Sequence, residues 1–134
     1  MIGLSAFLSA DFSKSGDVVS DSSTGLEWQD NSDTNGTRRT WQAAIDYCED
    51  LSLESHNDWR LPNINELKTL IDRSKRNPAI KSEVFVYVKS SYYWSSTSIV
   101  GVEYIAWFVN FNNGDVFGAF KDNNNYVRCV RDGQ

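Results

Sequence analysis

Between Thr40 and Leu51 the sequence TWQAAIDYCEDL places Trp41, Ala44, Ile45, Cys48 and Leu51 at helical spacing. Thr40 is a good N-cap, so a first helix is predicted with Cys48 on its core side. A second helix starts inside HNDWRLPNINELKTL, residues 56–70. There Asn63 and Glu66 form a capping box, and Ile64, Leu67, Leu70 and Ile71 supply an apolar stripe. Pro62 keeps Leu61 extended and stops a helix from running in ahead of the cap. From Val84 onward the sequence turns to β-formers. Phe85 to Val88, Tyr92 to Ser95, Tyr104 to Phe111, Val116 to Phe120 and Tyr126 to Val130 are rich in aromatic and β-branched residues, which predicts strands. Asn113-Gly114 marks a hairpin turn between two of them, and Cys129 falls on the last strand. Alternation separates Trp107, Val109 and Phe111 from Phe108, Asn110 and Asn112, so one of these two sets is expected to be core.

The segments between are polar. Residues 20–40 are dense in Ser, Thr, Asn, Asp and Gly and read as loop with one short strand at Leu26, Glu27 and Trp28. The run DRSKRNPAIKSE is also loop; its Arg73, Lys75, Arg76 and Lys81 read as a solvated basic face. The opening MIGLSAFLSA is apolar, has no basic leader and is short for a signal peptide, so it is read as a first strand, with the remainder of a trimmed signal as the alternative. Two helices followed by an antiparallel sheet make a single α+β domain over residues 1–134.

Composition narrows the functional classes. A chain of 134 residues buries about two thirds of its unfolded surface and folds without a metal. Thirteen basic against 18 acidic residues give a net charge of -5, a field that repels polyphosphate, so no nucleic-acid partner is expected. No stretch approaches the ~20 apolar residues of a membrane helix, so no membrane insertion is expected. Five Trp, six Tyr and seven Phe suit a packed β-rich core or a recognition surface. Cys48 and Cys129 leave two readings open. If oxidised in an exported compartment they close a long loop worth roughly 4 kcal/mol; otherwise they are two buried thiols.

Three groups of residues carry candidate chemistry. His56, the only histidine, lies close in sequence to Asp58, Arg60 and Glu66. Nucleophilic catalysis would need a Ser or Cys placed by the fold, and neither Ser95 nor Ser96 stands in a nucleophile-elbow pattern. The favoured reading is structural: Glu66 caps its helix, Arg60 pins the loop, and His56 is solvated. NSDTNG places Asn31, Asp33, Asn35 and Gly36 at calcium-loop spacing, but Gln42 stands where a bidentate Glu belongs, and an ordinary turn is favoured. Asn110, Asn112, Asp115, Phe117, Lys121, Asn123, Asn124 and Asn125 offer hydrogen-bonding groups around an aromatic platform, the composition of a glycan- or protein-binding surface. No catalytic residue, metal or cofactor is expected.

TGLEWQD (24–30), AAIDYCEDLSL (43–53), DWRLPNINEL (58–67), YWSST (93–97), AWFVNFNNGDV (106–116) and YVRCVR (126–131) together resemble the Lcl C-terminal domain family. The resemblance runs from about residue 12 to the end. It implies a C-type lectin-like fold, with Arg60, Pro62, Asn63, Glu66 and Trp94 as structural residues. A disulfide from the first helix to the last strand is typical of that superfamily, and Cys48 with Cys129 fit those places, which implies an extracellular or periplasmic domain. The family further implies adhesion-type binding of a glycan or protein in the bacterial envelope. Its best-characterised relative is a collagen-like surface adhesin whose terminal domain binds sulfated polysaccharide, whereas this chain is acidic and has no collagen-like repeat. Two other branches of the superfamily bear on function. Formylglycine-generating enzymes share a similar RLP segment but need active-site cysteines of their own. Targets of diversity-generating retroelements display variable residues near the chain end, where residues 110–113 and 123–125 stand here. The triplets of calcium-dependent sugar-binding lectins are absent, so no calcium-dependent monosaccharide site is expected. A structural accessory domain, assembling as a homo-oligomer, is the alternative class.

Overall fold

Gly16, with φ of +61°, turns the chain between two short strands, β1 (Phe12–Ser15) and β2 (Val18–Asp21), in a tight hairpin closed by the Ser15 to Val18 pair. β3 (Leu26–Gln29) continues this antiparallel sheet, and β9 (Val130–Asp132) returns from the far end of the sequence to pair with it. The computed structural model describes residues 11–133. The strand expected in MIGLSAFLSA lies outside the described residues.

α1 (Asp33–Gly36) and β4 (Arg38–Arg39) lead into α2 (Trp41–Asp50), where the Thr40 side chain accepts from Ala43 N as the sequence predicts. α3 (Ile64–Lys68) has the full capping box: Asn63 Oδ1 accepts from Glu66 N, and Glu66 accepts from Asn63 N. This helix is shorter than its apolar stripe, and Leu70 and Ile71 pack from the turn that follows. β5 (Tyr92–Ile99), β6 (Val102–Asn110) and β7 (Asp115–Phe120) form an antiparallel meander. β8 (Asn125–Tyr126) pairs parallel to β5 and antiparallel to β4, giving the order β4-β8-β5-β6-β7. The β6–β7 turn holds four residues, Phe111 to Gly114. Gly114, φ +87°, is required there because a Cβ would stand 2.8 Å from Ile71 Cγ2.

Both faces of the larger sheet are covered. Trp94, Ala106 and Phe108 pack with Ala44 and Cys48 of α2, while Tyr93, Val109 and Phe111 pack with Leu67 of α3 and with Trp28, Val19 and Val130 of the smaller sheet. The expectation of one core set on β6 is therefore corrected. A strand between two layers buries alternate residues on both sides.

Two further strand expectations are corrected. Phe85 to Val88 forms no strand. The backbone N–H groups of Val86 and Tyr87 donate to the two oxygens of the Asp30 carboxylate, at 2.9 and 3.0 Å, so they are satisfied without a ladder. Tyr126 to Val130 is not one strand but crosses from β8 in one sheet to β9 in the other, with Cys129 in the connection. Val127 through Arg131 are all buried, a run that a strand with one exposed face cannot accommodate. Cys129 and Cys48 of α2 form a disulfide with Cα atoms 5.6 Å apart.

Candidate functional site

The ionisable cluster of residues 56–66 is divided by the fold. Arg60 makes a bidentate pair with Glu66 at 2.7 and 2.8 Å and reaches Asp132 at 2.9 Å. The Arg60 hydrogen bond, opposed by partial burial, holds the Glu66 carboxyl below the usual range. Asp58 instead accepts from Arg131 at 2.7 Å, and Arg131 also bonds Glu27 at 2.6 Å. His56 is exposed, its backbone exchanging hydrogen bonds with Leu53. The cluster thus ties the α3 end of the chain to β3 and β9.

A second ionic hub joins the first and last signature segments. Asp30 has no exposed side-chain surface and accepts from Lys14 at 2.7 Å and Arg128 at 3.0 Å, besides Val86 and Tyr87. Burial alone would raise its pKa, but the Arg128 charge and these hydrogen bonds outweigh it and leave the carboxyl below its ordinary value. Arg128 also donates to the carbonyls of Gln29 and Tyr87. Sequence reasoning missed Asp30, Arg128 and Arg131, whose partners lie far away along the chain.

The calcium-loop spacing at residues 31–36 is taken up by local structure. Asn31 Oδ1 accepts from Gln29 and from Asp33 N, and Asp33 accepts from the Tyr47 hydroxyl at 2.7 Å. Burial and this bond to Asp33 push the Tyr47 phenol up to about 12.

The eight predicted surface residues fall in two places. Asn110, Asn112 and Asp115 sit at the β6–β7 turn, whereas Lys121 and Asn123 to Asn125 follow the other end of β7, about 17 Å along a six-residue strand. At the turn the polar groups serve the turn itself. Asn110 Oδ1 accepts from Asn112 N, Asn112 donates to Asn77, and Asn113 both accepts from Asp115 N and donates to the Asp115 carboxylate. Phe117, half exposed, lies between the two groups and leans toward Phe108, 6.3 Å away.

Beyond β7 the arrangement differs. The Lys121 backbone is clamped, its N–H donating to Tyr104 O and its carbonyl accepting from Trp41 N, both at 3.0 Å. From that anchor the chain turns through Asp122, Asn123 and Asn124, all exposed, into β8. A hollow of about 440 Å³ opens beside this loop, bordered by Arg38, Tyr92, Ala119 and the residues from Asp122 to Asn125. Tyr92 is 43% exposed and stacks on Phe108 at 4.4 Å, so its ring is held in place. Asn125 is only 5% exposed, and its amide nitrogen has no hydrogen-bond partner within the described residues. Arg39, its register partner in β4, has an Nη1 atom in the same condition, with its guanidinium over the Tyr47 ring.

Two more hollows adjoin. One, of about 390 Å³, is bordered by Trp41, Gln42, Lys121 and Asp122; the other, of about 330 Å³, by Tyr104, Phe120, Lys121 and Asp122. Trp41 is fixed by its indole N–H to Ser95 O, and Lys121 Nζ stands 3.9 Å from the Trp41 ring centre. Arg38, Trp41, Tyr92 and Tyr104 were outside the predicted surface, although each is an aromatic or cationic residue beside a polar loop.

The architecture is that of an α+β domain with short helices packed on antiparallel and mixed sheets, compatible with a C-type lectin-like fold. The chain belongs to the Lcl C-terminal domain family, whose sequence model matches residues 17–131. No curated protein matches it significantly.

Proposed function

We propose that this chain is a non-catalytic, adhesion-type recognition module of the bacterial cell surface or envelope, and that it binds a glycan in the hollow beside Tyr92 and Asn125. One observation carries the reading: the exposed Asn123 and Asn124 and the nearly buried Asn125 line a concave site beside the Tyr92 ring, which is held by its stack on Phe108. A fixed aromatic face beside amides that both donate and accept suits a sugar, whose ring has apolar faces and a rim of hydroxyls. The disulfide between Cys48 and Cys129 supports an extracellular or periplasmic location. The test is a glycan array on the folded domain beside a variant with Asn123, Asn124 and Asn125 changed to Ala. Loss of every signal in the variant is expected; an unaltered profile places the binding elsewhere.

A second reading, homo-oligomeric assembly, is favoured by β7. It is an outer strand of its sheet, carries no charge from Val116 to Phe120, and lies beside the exposed Tyr104, whose ring stacks on Phe120. Light scattering showing a molar mass that rises with concentration would support it.

A further inference from the structure

We infer that two copies of this chain pair through β7, antiparallel across a two-fold axis at Gly118, so that their larger sheets join into one. This deepens the assembly reading above and rests on it. Alternate residues of an antiparallel strand turn their N–H and C=O groups to opposite neighbours. On β6, Trp107 O accepts from Ser95 Oγ on the β5 side, whereas Tyr104 O accepts from Lys121 N on the β7 side. Ala106 and Phe108 therefore face β7, and their register partners Ala119 and Phe117 face back to β6. That leaves the backbone groups of Val116, Gly118 and Phe120 pointing outward, from a strand whose one neighbour among the described residues is β6. The Phe120 carbonyl accepts from Asn123 N and keeps its second lone pair.

One register uses all three outward residues. With Gly118 opposite Gly118, Val116 stands opposite the second copy's Phe120, and each outward donor meets an acceptor. A shift of two residues either way puts an outward residue past the end of its partner strand. The side chains suit the same register. On one face Phe117, 55% exposed, falls opposite the second copy's Ala119; on the other, Phe120, 54% exposed, falls opposite Val116. Gly118 keeps the axis clear, since a Cβ there would already meet Ile99 Cδ1 and Ile105 Cγ2 of its own chain. Charge matches at both ends. Asp115, which begins β7, falls opposite the second copy's Lys121, and Asp122 comes toward Arg73, whose Nη1 lies 3.4 Å from Gly114 O. Asp115, Asp122 and Arg73 have no ion-pair partner among the described residues of their own chain. These contacts, made twice by symmetry, oppose the repulsion between two chains of net charge -5. A two-fold contact closes on itself, so assembly stops at the dimer.

The test is sedimentation velocity of the full chain from about 10 to 500 μM, a range suited to a small interface. A monomer–dimer equilibrium with no larger species is expected. Asp115→Lys and Lys121→Asp, each setting like charges opposite one another, are expected to weaken the dimer about tenfold, and the two substitutions together to restore most of it. The two positions lie at opposite ends of one strand, so recovery has to come from contact between copies. In the parent chain, isotope-filtered NMR on a mixed-label sample is expected to show Phe117 Hα close to the second copy's Ala119 Hα, and the Gly118 amide to exchange more slowly as concentration rises. Self-association without that Hα contact, without recovery in the double variant, or beyond a dimer overturns the β7 pairing and leaves the assembly reading standing. A monomer at every concentration overturns both.

Discussion

The hub around Asp30 and the loop from Lys121 to Asn125 are both polar, but their hydrogen-bonding groups have opposite fates. Asp30 accepts four protein donors, and the Arg128 guanidinium donates to one of its carboxylate oxygens and to two carbonyls. Around Asp122 the backbone is clamped at Lys121, while the Asn125 amide nitrogen has no partner among the described residues and three aromatic surfaces border open hollows. A polar group satisfied on every side holds a fold together; exposed amides around a concavity are free to meet a ligand. The signature segments TGLEWQD, DWRLPNINEL and YVRCVR all supply the first kind, through Glu27, Asp30, Asp58, Arg60, Arg128 and Arg131. The family resemblance therefore reports the scaffold, and the proposed recognition surface lies outside these ionic contacts.

The largest expected effect comes from breaking the hub. Asp30→Ala leaves the Arg128 guanidinium, 2% exposed, without its counter-ion, and frees the Val86 and Tyr87 N–H groups of a segment that has no ladder to fall back on. Removing one partner of a buried pair costs about 3–5 kcal/mol. Urea unfolding should show this loss, whereas Asp122→Ala should stay within about 0.5 kcal/mol of the parent. Equal costs at the two positions would erase the distinction between scaffold and rim.

The same distinction decides what was legible in the sequence. Both main helices were, because Thr40 and the Asn63 with Glu66 capping box are local rules that the fold obeys. The β1–β2 hairpin was overlooked although Gly16-Asp17 between short β-forming runs is a turn signal of the same kind as Asn113-Gly114. Phe85 to Val88 misled for a physical reason: a run with strand propensity was satisfied by a carboxylate from Asp30, 56 residues upstream of Val86. The candidate site was half legible. Asn123 to Asn125 stand beside the hollow, but Asn110, Asn112 and Asp115 were grouped with them by composition, and only the length of β7 shows that they are at its other end. Arg38, Trp41, Tyr92 and Tyr104 converge from four elements or their edges, a juxtaposition that no local pattern encodes.

Acid should sharpen the comparison at intermediate cost. The Asp30 carboxyl is held below its ordinary pKa by Arg128 and its hydrogen bonds against burial, and that of Glu66 by its bond to Arg60. A carboxyl whose folded pKa lies below its unfolded value stabilises the fold fully above about pH 4 and ceases to do so as pH falls through the folded pKa. Unfolding free energy should therefore be flat from neutrality to about pH 5 and fall below about pH 4. Tyr47 has the opposite sense. Its phenol is raised to about 12, so its contribution is complete below about pH 10 and fades as pH approaches that value. In Asp30→Asn the acid limb of the stability profile should be shallower. An unchanged limb would mean that the hub is not what acid titrates.

The smallest effect discriminates most finely, because it sets the same residue in the two environments. Asn113 closes the β6–β7 turn, its carbonyl oxygen accepting from Asp115 N at 2.9 Å and its amide donating to the Asp115 carboxylate at 3.0 Å. Asn113→Ala removes both bonds and should cost about 1 kcal/mol, the net worth of a typical intramolecular hydrogen bond in a partly exposed turn. Asn124 is exposed at the edge of the hollow, so Asn124→Ala should leave stability within about 0.5 kcal/mol of the parent while lowering affinity for any sugar bound there. Denaturant midpoints for the two variants, read beside their titrations, decide the matter. If Asn124→Ala destabilises as much as Asn113→Ala, the loop after β7 is turn scaffold like the hairpin end. If only its binding is lost, identical side chains do separate work on the two ends of one strand, and the difference is set by whether the fold supplies them with a partner.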